Sequence, residues 1–212
     1  MHIYAFGSLC RGEITFGSDI DMLALVTEKE GRFDPNLYSI YSYTRISELW
    51  AHGNPFAWHL ALESRLIFAS DGIDHIKVLG APALYRDCKQ DCIKFSHLYN
   101  EARQSMTQDS HSVVFDLSTI FLSLRNFATC YSLGITDHPN FSRYSALSLP
   151  NGDSVDLSRE VYTIMERARI LATRGLGEKI SELDTAKVFS ELNIISVWMA
   201  RLIQKVEAHE QY

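Results

Sequence analysis

Residues 6 to 26 read FGSLCRGEITFGSDIDMLALV, and this stretch decides the fold. The apolar segment from His2 to Phe6 leads into it and stops at Gly7-Ser8, a pattern typical of a buried strand that meets a turn. The far end of the stretch, Asp21 to Thr27, is almost continuously apolar, which predicts a central strand covered on both faces. The sequence therefore predicts two strands joined by a glycine-serine loop.

An Asp-x-Asp pair stands where the second strand begins. Because alternate residues of a strand face the same side, we expect Asp19 and Asp21 to project together, with Ile20 turned into the core. Two carboxylates on one face suit a hard cation, Mg²⁺ or Mn²⁺, which binds phosphate oxygens. Gly7 would let the backbone approach a phosphate, and Ser8 would offer it a hydroxyl and an amide.

The flanking segments predict an α+β chain in two domains. Leu37 to Thr44 and Arg65 to Ala69 have the pattern of strands, and residues 45 to 64 show helical spacing interrupted at Gly53-Asn54-Pro55. After Pro82, apolar residues recur at helical spacing in four segments, residues 83 to 108, 110 to 133, 156 to 174 and 185 to 208. We predict a small mixed sheet with flanking helices in residues 1–80, then an all-α helical bundle with a C-terminal tail in residues 81–212.

Composition narrows the possible partners and the compartment. A net charge of −6 gives no broad attraction for a polyanion, so a nucleotide would have to be held by a local site. Four scattered cysteines and a first strand that begins near His2 lead us to expect a reduced, cytoplasmic protein. No uncharged apolar run of 18 or more residues occurs, so no membrane span is expected.

The spacing of Gly-Ser, about ten residues and then Asp-x-Asp resembles the signature of the DNA polymerase β-like nucleotidyltransferase superfamily. Arg11-Gly12 within the loop and a serine before the first aspartate resemble its minimal and kanamycin-type branches. The resemblance implies a metal-dependent enzyme that moves a nucleoside monophosphate from an NTP or dNTP to a hydroxyl and releases pyrophosphate. It assigns nucleotide binding to Gly7, Ser8, Arg11 and Ser18, and catalysis and metal binding to Asp19 and Asp21.

The resemblance also implies a third carboxylate on the next strand, and there the sequence departs from the family pattern. Leu37 to Thr44 contains Ser39 and Ser42 but no acid, and the nearest candidates are Glu48 and Glu63. An acid from elsewhere in the fold, or a substrate phosphate and water, would complete the metal shell. Otherwise the activity is weakened, or the chain is a degenerate module that binds nucleotide without chemistry.

The last residue, Tyr212, is an aromatic at a terminus, where stability rarely requires one. Its phenol is a usable nucleophile, and four or five extended residues would let it reach a pocket beside its own helix or that of a neighbouring subunit in a homo-oligomer. A polymerase β-like core with a helical domain and a terminal tyrosine resembles the nucleotidyltransferase component of Hailong-type anti-phage defence systems. This resemblance implies template-independent, tyrosine-primed synthesis of short single-stranded oligodeoxyadenylate that restrains a membrane-channel effector.

Other acceptors stay open at this point. A minimal nucleotidyltransferase would modify a toxin protein instead, and a kanamycin-type enzyme would modify a hydroxyl of an antibiotic. The sequence therefore predicts the chemistry of transfer more sharply than the identity of the acceptor.

Overall fold

A computed structural model of the chain describes residues 1–13, 20–27, 32–108 and 112–209. The chain divides into two compact units, Met1–Arg86 and Asp87–Tyr212. The first unit contains the four strands of a single sheet, and the described part of the second unit contains helices but no strand.

The sheet of the first unit is mixed. Its strands are β1 (His2–Phe6), β2 (Asp21–Val26), β3 (Tyr38–Ser42) and β4 (Arg65–Ala69), in the spatial order β3-β2-β1-β4. The strand β1 runs antiparallel to both β2 and β4, whereas β2 and β3 are parallel. The predicted α+β class and small mixed sheet are therefore confirmed.

Among the described residues of the first unit, four helices accompany the sheet: α1 (Ser8–Arg11), α2 (Tyr43–Ala51), α3 (Pro55–Glu63) and α4 (His75–Leu79). The Ser42 hydroxyl fixes the start of α2 by accepting a hydrogen bond from Arg45 N at 3.1 Å. Asn54 caps α3 in the same way, at 2.9 Å from Phe56 N, and Pro55 follows at the first helical position. The sequence did not predict α1 and α4, because four or five residues are too few to display a helical period.

One face of the sheet carries the core of this unit. Tyr4, Phe6, Leu23 and Leu25 pack with buried side chains of α2 and α3, among them Ile46, Leu49, Trp50, Ala57 and Leu60. Side chains of a strand alternate between faces, so Asp21 shares the face of Leu23 and Leu25. The carboxylate of Asp21 therefore lies at the end of the helix-covered face.

Two tryptophans anchor the segment that follows α4. Trp50 Nε1 donates to Gly80 O at 2.9 Å, and Trp58 Nε1 donates to Ala83 O at 3.0 Å. Between α2 and α3, Gly53 has φ +63°, and a Cβ at this residue would lie 2.3 Å from Ala83 O. The close approach of the two backbones therefore requires glycine at position 53.

The described part of the second unit contains α5 (Cys88–Thr107), α6 (Val113–Ile135), a 3-10 turn (Ser145–Leu147), α7 (Arg159–Arg174) and α8 (Glu182–His209). The central helix is α6, whose fully buried side chains include Leu117, Ile120, Leu124 and Phe127. By length and composition alone α6 could cross a membrane, but 61% of its most apolar window is buried inside the protein. Such burial is typical of the core helix of a bundle, so α6 is weak evidence for a membrane span.

A buried aspartate ties the loop after the 3-10 turn to two helices. Asp153 is 4% exposed, and its carboxylate accepts hydrogen bonds from Tyr131 OH at 2.7 Å and from Lys205 Nζ. The backbone carbonyl of Asp153 also accepts from Trp198 Nε1 at 2.6 Å. Burial disfavours the charge, but Lys205 and Tyr131 outweigh it and hold the pKa of Asp153 below its ordinary value. A polar residue is thus tolerated in the interior because its partners satisfy it.

Replacing Gly53 tests the backbone contact in the first unit, and Gly72 provides a matched control. Both residues have positive φ, but a Cβ at Gly72 would meet nothing within 4 Å. We expect Gly72→Ala to cost about 1 kcal/mol of unfolding free energy, and Gly53→Ala to cost roughly 2 kcal/mol more because of the clash with the backbone of residues 83 and 84. Urea unfolding measures both changes, and equal costs would contradict the contact.

Candidate functional site

The pairing of β1 with β2 brings the glycine-serine turn to the second aspartate of the Asp-x-Asp pair. The two strands place Phe6 opposite Asp21, and Gly7 follows β1 directly. Gly7 has φ +73°, and a Cβ at this residue would lie 2.5 Å from Asp21 Oδ2. The absence of a side chain at Gly7 therefore makes room for the carboxylate of Asp21.

Ser8 begins α1 on the other side of this glycine. The turn is closed by backbone hydrogen bonds from Cys10 N to Gly7 O at 3.0 Å and from Glu13 N to Ser8 O at 2.9 Å. Ser8 is 8% exposed, and its hydroxyl makes no hydrogen bond within the part of the chain that the structure describes. A fixed hydroxyl with unused hydrogen-bonding capacity is suited to contact a ligand.

A cavity opens beside Asp21. Its volume is about 650 Å³, within the range of small-molecule sites, and its walls are residues 20–22 and 35–39. Ile20 belongs to this wall and is 59% exposed, so the expectation that it turns into the core is wrong. Asp21 shares the helix-covered face of the sheet. Because neighbouring side chains alternate between faces, the side chain of Ile20, the residue just before β2, points to the opposite face.

Arg11 lies in an ion-pair cluster. Its Nε is 2.9 Å from Glu13 Oε2, and its Nη1 also pairs with the carboxylate of Glu63 at the end of α3. His59, one turn earlier on α3, contributes Nε2 at 3.0 Å from the same Glu63 oxygen. The cluster ties α1 to α3. Its carboxylates also neutralise the guanidinium of Arg11, the residue to which the family resemblance assigns nucleotide binding.

The Glu63 carboxylate titrates abnormally in this cluster. Burial disfavours its charge, but the close contact with His59 and the positive charge of Arg11 outweigh burial and lower the pKa of Glu63 from its ordinary value. Glu63 is therefore a stabilising anion that is already paired, which weakens its candidacy as a third metal ligand.

The other candidate for a third carboxylate, Glu48, lies on α2. It is half exposed, and its carboxylate lies 2.9 Å from the Arg45 guanidinium. Next to β2, the cavity wall includes Tyr38 and Ser39 of the strand β3 and Leu37 just before it, and none of them is an acid. The described residues contain no group of three or more His, Cys, Asp or Glu side chains that could hold a metal ion.

The turn before β3 is a part of the site that sequence reasoning missed. Asp34 Oδ1 accepts hydrogen bonds from the backbone and side-chain nitrogens of Asn36, both at 2.9 Å. Pro35 and Asn36 in turn belong to the same cavity wall as Asp21. The sequence Asp34-Pro35-Asn36 signals such a turn, but only the pairing of β2 with β3 brings it to the site.

Three predicted site residues, Ser18, Asp19 and Tyr212, lie outside the described residues. Their assignments stay predictions. The helix α8 continues through His209, so Ala208 and His209 are helical and not part of an extended tail.

No known protein family and no curated protein matches this chain. What the site can do therefore follows from its own residues.

Changing Glu63 tests the ion-pair cluster through its dependence on pH. We expect Glu63→Gln to lower the free energy of unfolding by about 1 to 3 kcal/mol near neutral pH, because Arg11 and His59 lose a buried partner. The folded-state pKa of Glu63 is lowered, so its ionised form stabilises the fold above its ordinary pKa of 4.5. This contribution is lost as the pH falls through the folded-state pKa.

Urea unfolding of both proteins from about pH 7 to about pH 3 should therefore show stabilities that converge in acid. Glu48→Gln is the control, since an exposed ion pair contributes less than about 1 kcal/mol. A penalty for Glu63→Gln that stays constant over the whole range would refute the pairing.

Proposed function

We propose that this protein is a metal-dependent nucleotidyltransferase that moves a nucleoside monophosphate from an NTP or dNTP to a hydroxyl acceptor. The observation that carries the proposal is the close approach of Gly7 to the Asp21 carboxylate at the edge of an open cavity. It is what the spacing of the Gly-Ser and Asp-x-Asp motifs requires if the two motifs are to act together.

The donor chemistry fits a hard divalent cation. Asp21 supplies a carboxylate next to a backbone that carries no side chain, and Asp19 belongs to the same motif. When bound, Mg²⁺ or Mn²⁺ would neutralise the charge of the triphosphate and polarise its oxygens. The proposal assigns the binding of that ion to Asp19 and Asp21.

The remaining residues would position the triphosphate. Ser8 would offer its hydroxyl to a phosphate oxygen. Because Gly7 has no side chain, the phosphate could come close to the backbone. In the reaction, the acceptor oxygen forms a bond to the α-phosphorus and the bond from that phosphorus to pyrophosphate breaks. The acceptor proton passes to solvent or to a carboxylate of the site. Such transfer depends on positioning and electrostatics more than on covalent help from the protein.

The finer form of the proposal concerns the acceptor. In the Hailong-like form, Tyr212 primes template-independent synthesis of a short oligodeoxyadenylate, which would act on a membrane-channel effector in anti-phage defence. A toxin protein or an antibiotic hydroxyl is the alternative acceptor. The enzyme would work in the cytoplasm in all of these forms.

Asp21→Asn is the first test of the transfer activity. Incubation with labelled nucleotides and Mg²⁺ should show transfer by the wild type, and the variant should lose roughly 100-fold or more in rate, because it removes an anionic ligand of the metal ion that would neutralise the triphosphate. Gly7→Ala should also be impaired, because its Cβ would displace Asp21. Gly12 also has positive φ, but its Cβ would meet nothing within 4 Å, so Gly12→Ala should keep its activity.

The matched pair of glycine variants makes this test specific to geometry. Equal activity of Gly7→Ala and Gly12→Ala would argue against a role for the approach of Gly7 to Asp21. Metal-dependent nucleotide binding without transfer to any acceptor would instead support the degenerate, non-catalytic module, for which the lack of an acid on β3 is the favouring observation.

Tyr212→Phe tests the acceptor. Wild-type protein incubated with dATP and Mg²⁺ should carry covalent nucleotide on its C-terminal peptide by mass spectrometry, and the variant should carry none because the nucleophilic oxygen is gone. Tyr85→Phe provides a control with the same change at a buried tyrosine. Labelling that persists in Tyr212→Phe would exclude the priming role while leaving the transferase intact.

A further inference from the structure

Another cavity lies within the second unit, among α5, α6 and α7. Its volume is about 500 Å³, and it does not share residues with the cavity beside Asp21. Its apolar lining residues are Leu98, Ala102, Phe115, Leu122 and Ala172. Mostly apolar cavities of this size, with a few polar groups, are typical of small-molecule sites.

Arg169 on α7 brings a positive charge into this apolar lining. The side chain is half-buried, and its Nη1 donates one long hydrogen bond, 3.4 Å, to Ser118 Oγ. Within the part of the chain that the structure describes, Arg169 has no carboxylate partner. Burial, and then the charge of Arg174, lower the pKa of Arg169. A guanidinium has five N–H donors and is costly to bury without a counter-charge, so the cavity favours an anion at this end.

Ser118 can serve the same anion. Its oxygen accepts the hydrogen bond from Arg169, and its proton has no acceptor among the described residues. Ser118 is 3% exposed, so α6 and its neighbours hold the hydroxyl in place. The guanidinium and the hydroxyl thus form one polar part of the cavity wall.

Two acids in the same lining limit the charge of the occupant. Glu101 and Asp116 both belong to the wall, and the buried Asp116 carboxylate accepts a hydrogen bond from Ser105 at 3.0 Å. These carboxylates repel a second negative charge on a ligand, which the single guanidinium of Arg169 would not offset. One negative charge on an apolar body is therefore the best match.

We propose that this cavity binds a small organic monoanion. Arg169 and Ser118 hold the anionic group, a carboxylate or a group of similar charge, and the apolar body lies against Phe115 and Leu122. The site is independent of the proposed nucleotidyltransferase activity, because it is built entirely from residues of the second unit.

Fluorescence of anilinonaphthalene sulfonate, an aromatic body with one anionic group, provides a probe for the full-length protein. We expect saturable binding that naphthoate displaces and that naphthamide, the uncharged analogue with the same rings, does not. Arg169→Met should weaken probe binding by about tenfold or more, since it removes a charge-assisted hydrogen bond. Arg159→Met, with the same charge change at an exposed position on the same helix, should bind the probe like the wild type.

Thermal unfolding separates this outcome from loss of the fold. Because Arg169 lacks a carboxylate partner among the described residues, Arg169→Met should unfold at the same temperature as the wild type or higher. The proposal is overturned if Arg169→Met unfolds the protein, if it binds the probe as tightly as Arg159→Met, or if naphthamide competes as well as naphthoate. Absence of saturable probe binding to the wild type would overturn it too.

Discussion

The first unit depends on one close approach, in which the carboxylate of Asp21 packs against the backbone of Gly7. The antiparallel register of β1 and β2 sets this contact by pairing Phe6 with Asp21, so the residue after β1 must lack a side chain. A shift of the register by one residue would turn Asp21 to the other face of the sheet and close off the contact. The same register buries Leu23 and Leu25 in the core, so the free energy of core packing holds the carboxylate at the mouth of the cavity.

The charged residues near this contact fall into two groups: an ion-pair cluster that joins two helices, and the Asp21 carboxylate in the cavity wall. The cluster of Arg11 and Glu63 lies behind the turn and ties α1 to α3, where burial makes paired charges costly to separate. Asp21 belongs to the cavity wall, where an ion would find a carboxylate, and Ser8 begins α1 directly after Gly7, where it would offer a hydroxyl to a phosphate. Because Arg11 is paired with Glu13 and Glu63, the proposed function assigns triphosphate binding mainly to Ser8 and to the metal ion held by the aspartates.

Two polar residues inside the second unit differ in how fully their hydrogen-bonding groups are satisfied. Asp153 is fully supplied with partners, since Tyr131, Lys205 and Trp198 all donate to it, and it serves to join a loop to two helices. Arg169 has one long hydrogen bond in a lining that is otherwise mostly apolar. Polar groups inside a protein are normally satisfied, so the contrast between the buried Asp153 and the half-buried Arg169 is what singles out the cavity of α5, α6 and α7 as a site for a ligand.

The sequence by itself determined the strands, the long helices and the presence of a glycine-serine turn and an Asp-x-Asp motif, because hydrophobic period and turn chemistry are local properties. Only the tertiary structure decided that Ile20 faces solvent, that Arg11 pairs with Glu63, and that Arg169 enters a cavity. These outcomes depend on strand register and on which helix faces meet, and they join residues far apart in the chain. Periodicity carries no information about such contacts, since the same local pattern is compatible with many partners.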